Sequence, residues 1–76
     1  MHENYSAMVV KLLENLAADV EKEEQLKAKW IALELENYVQ NNTILCKFIE
    51  QEIHWCTVNI LRLNHQIDYV SKLTEL

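Results

Sequence analysis

The absence of both glycine and proline constrains this 76-residue chain more than any other feature. At an average usage of roughly 12% combined, about nine such residues would be expected in a chain of this length. Without them, the chain lacks the usual turn formers and helix breakers. The sequence therefore predicts an all-α fold with at most one or two connections. It argues against all-β and α/β folds, which need many turns.

The second half of the chain carries a heptad repeat. Between positions 46 and 74, mainly apolar residues recur at alternating intervals of three and four, the spacing of a narrow helix face that packs against other helices. We call this set the seam, and its members are Cys46, Ile49, Ile53, Cys56, Ile60, Leu63, Ile67, Val70 and Thr74. The a positions begin with Cys46 and the d positions with Ile49. The seam predicts that the function of this chain is helix association.

The first half has a broader apolar pattern. Apolar residues recur over 5–20 and again over 26–39, as expected for a helix that packs in a bundle, and the charged stretch 21–25 between them is predicted to be solvated. The sequence Gln-Asn-Asn-Thr at 40–43 favours a break, because Asn both ends helices and caps new ones. We therefore predict helix 1 at about 6–40, a connection at about 41–43 and helix 2 at about 43–73.

Two arrangements of these helices fit the pattern. In the favoured one, they form an antiparallel αα-hairpin that assembles into a four-helix bundle or coiled coil. In the alternative, the helical phase continues through Asn42, and one continuous helix of ~110 Å joins a coiled-coil oligomer. The e and g positions that flank the seam are mostly uncharged, which favours three or four helices in cross-section over two. We expect a single association domain, either complete or part of a longer protein.

A second stripe lies on the c face of helix 2, away from the seam. Its members are seven residues apart and are Phe48, Trp55, Arg62 and Tyr69. Because Trp, Tyr and Arg dominate interface hot spots, this stripe and Trp30 are typical of a second binding surface. The simpler interpretation is that Phe48 and Trp55 pack against helix 1 of the same chain. The predicted protein-interface residues are thus the seam, with Trp30, Phe48 and Trp55 as aromatic anchors.

Charge and cysteine content restrict the partners and the compartment. The formal net charge is −5, whereas nucleic acids and anionic membranes attract basic surfaces, so direct binding to either is disfavoured. No apolar run approaches the ~20 residues needed to span a bilayer. Cys46 and Cys56 are too far apart on one helix to bridge each other. We expect reduced thiols in an intracellular compartment, the cytoplasm or nucleus. A disulfide between two chains across a symmetric seam is the alternative.

No residue pattern predicts catalysis, a cofactor or a metal site. His54 and Cys56 are two residues apart, so on a helix they point about 200° apart and cannot share an ion or act as a nucleophile pair. We therefore predict a non-enzymatic structural or scaffold module that mediates oligomerisation, with itself as a homodimer or with another helical subunit. The alternative is a small regulatory protein that presents an amphipathic helix to the groove of a larger protein.

Overall fold

The computed structural model describes residues 2–73, with side chains from Tyr5 onward. Its helices are α1 (His2–Glu34), α2 (Asn37–Gln40) and α3 (Thr43–Leu73). Within this range there is no strand, and the two long helices pack against each other. The predicted all-α class is confirmed.

The start of α1 lies close to the end of α3, and the end of α1 lies close to the start of α3. The Tyr5 hydroxyl, near the start of α1, donates a 3.5 Å hydrogen bond to the carbonyl oxygen of Leu73 at the end of α3. At the other end, the rings of Trp30 and Phe48 make an edge-to-face contact with their centroids 5.9 Å apart. The described chain measures 59 × 14 × 12 Å between Cα atoms along its principal axes. The alternative of one continuous helix is therefore wrong.

The first helix ends earlier than predicted. We expected it to cover 6–40, but α1 covers His2–Glu34, and Glu36 has an extended backbone (φ −71°, ψ 139°) before the single turn of α2. Burial of Val39 accounts for the break. In a continued helix, Val39 would lie five residues after Glu34 and hence about 140° around the axis. The break reorients α2, and Val39 becomes the most buried side chain of the described core, at 1% exposure.

The second break lies where the sequence predicted the connection. Asn42 precedes α3, and its Oδ1 accepts hydrogen bonds from the backbone N–H groups of Ile44 and Leu45 at 3.0 and 3.1 Å. This is the geometry of an N-cap, which typically contributes about 1 kcal/mol. The thiol of Cys46 donates to the carbonyl oxygen of Val39 at 3.0 Å, tying α2 to the first turn of α3. The bounds of helix 2, predicted at 43–73, agree with those of α3.

Candidate interaction surface

The seam of α3 faces α1 of the same chain. Its d positions Ile49, Cys56 and Val70 are buried. Its remaining described members are half-buried, and they are Cys46, Ile53, Ile60, Leu63 and Ile67. Thr74, the last seam position, lies outside the described residues. The first helix thus covers three of the four described d positions, while Leu63 and the a positions keep part of their surface exposed.

A matching seam on α1 was not recognised from the sequence. Its members alternate at intervals of four and three, are buried or half-buried, and are Val9, Leu13, Leu16, Val20, Glu23, Lys27, Trp30 and Glu34. The prediction that the charged stretch 21–25 is solvated is wrong for Glu23, because this position continues the heptad toward α3. The signal was present in the spacing of Val9 to Val20, which extends without a change of phase to Trp30.

Glu23 and Lys27 form a polar layer with Cys56 between the two helices. Cys56 is 3% exposed, and the Oε2 oxygen of Glu23 is buried without a hydrogen-bond partner. Burial raises the pKa of the Cys56 thiol above its usual value of 9.0, and the negative charge of Glu23 acts in the same direction. The nearby Glu52 also raises this pKa, while Lys27 opposes the shift. The thiol is therefore held in its neutral form.

We expect Cys56 to react with iodoacetamide more slowly than Cys46. The thiolate is the nucleophile, so a buried thiol with a raised pKa reacts only when the helices separate. The raised pKa of Cys56 also makes folding stability fall as the pH rises above 9.0, because the unfolded chain releases this proton first.

Mass spectrometry of the single-thiol variants Cys46→Ser and Cys56→Ser measures the alkylation rates of the two cysteines. Equal rates in folded protein would contradict the described burial.

Much apolar surface stays uncovered in this arrangement. Half of the chain is hydrophobic, yet among the described residues only five apolar side chains are buried. Fifteen large apolar side chains in the same range are exposed, and they are Tyr5, Met8, Val10, Leu12, Leu26, Ile31, Leu35, Tyr38, Ile44, Leu45, Phe48, Trp55, Val58, Leu61 and Tyr69. Where exposed apolar side chains form a contiguous patch, the patch usually marks an interaction site.

Aromatic residues form one side of this uncovered surface. Phe48 contacts Trp30 of α1, as the simpler interpretation expected, but Phe48 and Trp55 each remain about half exposed. At the far end, Tyr69 lines an open groove of about 610 Å³ together with Leu12 and other residues of both helices. The Nε1 nitrogen of Trp30 is buried without a hydrogen-bond partner. Packing against α1 therefore covers only part of these rings.

The described residues offer no arrangement for metal chemistry. In residues 2–73, no group of three His, Cys, Asp or Glu side chains is placed to hold a metal ion. Over the same residues, every helix is too short or too polar to cross a membrane. Comparisons with protein-family models, curated proteins and solved structures found no match to this chain.

Proposed function

We propose that this chain is a non-enzymatic association module. Its unit is an antiparallel αα-hairpin of α1 and α3, and pairing with a second copy or with another helical subunit completes a four-helix bundle. The observation that carries this proposal is the disproportion between the buried core and the exposed apolar surface of the described residues. A small two-helix unit buries too little surface to be strongly stable alone, and oligomerisation is a common remedy.

Contacts at both ends of the molecule support the antiparallel arrangement. Tyr5 is hydrogen-bonded to Leu73, and Trp30 contacts Phe48. In both pairs, the two residue numbers sum to 78. Each residue of α1 therefore lies at the same height along the molecule as the residue of α3 whose number completes the sum of 78. Such a constant sum is expected for two helices that run in opposite directions.

The partly exposed aromatic rings of α3 support two additional helices. Phe48 and Trp55 are each about half exposed after packing against α1. Complete burial of an Ile, Leu or Phe side chain contributes ~1.5–3 kcal/mol relative to exposure. Association that completes the burial of these rings would contribute a favourable term for each of them.

The molar mass of the 76-residue chain in solution tests this proposal. We expect a mass of at least twice the 9.0 kDa of one chain in sedimentation equilibrium at micromolar concentration, with strongly helical circular dichroism. Since a homo-oligomer dissociates on dilution, the apparent mass should fall as the concentration is lowered. A poorly helical monomer at every concentration would contradict the module and favour a regulatory helix that folds in the groove of a larger protein.

A further inference from the structure

We propose that a second copy of this chain docks on the aromatic side of the hairpin, with its two-fold axis parallel to the helices. We call this surface the aromatic face and define it by Leu12 and Trp30 of α1 and by Phe48, Trp55, Arg62 and Tyr69 of α3. The inference rests on the proposed function, and it adds which face associates, in which register and with which partner.

One ring contact and two depressions place these residues on one side of the helix pair. Trp30 touches Phe48 at one end, and Leu12 and Tyr69 line the same groove at the other. Between them, one depression is lined by residues of both helices, and they are Asp19, Lys22, Glu23, Asn59, Arg62 and Leu63. Since residues seven apart share a face of a helix in a coiled coil, Trp55 lies on the same side as Phe48 and Arg62.

The aromatic face has a charged centre and two apolar ends. Asp19 and Lys22 lie near the middle of α1, and Arg62 lies near the middle of α3. The apolar ends are built by Leu12 with Tyr69 and by Trp30 with Phe48. A single partner with the same order of charged and apolar regions can match the whole length, and a copy of the chain has that order.

A two-fold rotation about an axis parallel to the helices places the apolar ends of one copy against the same ends of the other, and places opposite charges near each other. It lays α1 of one copy over α3 of the other at the same level, so that Trp30 faces Phe48 of the second copy. Asp19 lies level with residue 59, because paired residue numbers sum to 78. Arg62 of the second copy is then three residues away, or ~4.5 Å along the axis, within reach of a long arginine side chain. Each dimer forms this acid–base pair twice.

A two-fold axis that lies in the plane of the interface but is perpendicular to the helices gives a poorer match of charges. An axis perpendicular to the helices would lay α1 over α1 in opposite direction, and at full overlap the two Asp19 carboxylates would be neighbours. Like charges placed together across an interface are unfavourable and select against that arrangement. The parallel axis also makes all adjacent helices of the four antiparallel, as in an up-down-up-down bundle.

The area is sufficient for a stable dimer. A face of 59 × 14 Å between Cα atoms projects to roughly 830 Å². A standard protein–protein interface buries about 800 Å² per partner. Trp, Tyr and Arg, which this face contains, are the residues that contribute most to such interfaces.

Two pairs of variants test which face associates. Leu12→Lys changes the aromatic face, whereas Val10→Lys, two residues away, changes the opposite side of α1 at similar exposure (45% and 50%). With wild type as a dimer, we expect Leu12→Lys to raise the dimer Kd roughly ten- to a hundredfold and Val10→Lys to leave it unchanged. Trp55→Lys and the exposed Leu61→Lys form the equivalent pair on α3. Loss of the dimer in Val10→Lys and Leu61→Lys alone would overturn this choice of face.

Charge exchange tests the register. Asp19→Arg and Arg62→Glu should each weaken the homodimer, and a mixture of the two should form a heterodimer near wild-type affinity. Each variant keeps like charges within its own chain, so recovery in the mixture reports the contact between chains. The double variant should dimerise like wild type. The single variants distinguish the two axes. The perpendicular axis pairs position 19 with its own copy, so under it Asp19→Arg would only exchange two neighbouring aspartates for two neighbouring arginines and would leave the affinity of the homodimer unchanged. A dimeric wild type overturns the register alone if the single variants dimerise unchanged or if the mixture shows no recovery. A helical monomer overturns the second copy as the partner, while a poorly helical monomer overturns the proposed function.

Discussion

Replacing Ile49 by alanine is expected to lower the free energy of unfolding by about 2–5 kcal/mol, the usual cost of truncating a buried aliphatic side chain. Ile49 is a d position of the seam with 4% of its surface exposed. Alanine removes three carbon atoms and leaves a cavity between α1 and α3 that helix movement fills only in part. Urea unfolding followed by circular dichroism at fixed protein concentration measures the change, since association contributes to apparent stability.

Ile44→Ala is the matched control on the same helix. Ile44 is 80% exposed, and substitutions at such positions usually change stability by less than about 0.5 kcal/mol. Equal losses in both variants would show that the seam does not face α1. A loss in Ile44→Ala alone would place the protected side of α3 at the opposite face.

Replacing Glu23 by leucine is expected to raise the free energy of unfolding by about 1–3 kcal/mol, the usual cost of a buried polar atom without a partner. The Oε2 oxygen of Glu23 is in this situation, between the helices and close to Cys56. Leucine also continues the apolar pattern set on α1 by Leu16 and Val20. A higher urea midpoint with an unchanged m-value is the expected result.

Glu24→Leu is the control for this substitution. Glu24 is exposed on the neighbouring position of α1, so the same chemical change there should alter stability by less than about 0.5 kcal/mol. If Glu23→Leu instead destabilised the protein, the Glu23 carboxylate would be taking part in a favourable interaction near Cys56. The polar layer would then strengthen the packing of α1 on α3 instead of weakening it.

The bounds of α3 could be predicted from the sequence because local signals agree with the packed structure there. Asn42 has a side chain suited to capping, and the seam starts within one turn of it. The break after Glu34 could not be predicted in this way. Leu35 and Glu36 are compatible with a helix, and the apolar phase continues past them. The break depends on the burial of Val39, a tertiary contact that local preference does not report.

The candidate site could be predicted in part. The c-face residues Trp55 and Tyr69 were recognised by their spacing, and in the structure both are exposed. Their alignment with Leu12 across the helix pair could not be derived, because it depends on the level at which α1 meets α3. The α1 seam was missed for a different reason: Glu23 and Lys27 are charged, and a pattern search for apolar residues stops at them.

The connector between α1 and α3 has no special backbone conformation. Within residues 2–73, no residue has a positive φ angle, so no position requires glycine. The position of the connector therefore depends on packing, mainly on the burial of Val39, and not on a locally rigid backbone. A chain of this kind needs no backbone strain to open, and two open chains can exchange their second helices while keeping the same seam contacts. Domain swapping is a low-cost route to a dimer when a connector can straighten, and in this molecule burial of Val39 is what keeps each α3 with its own α1.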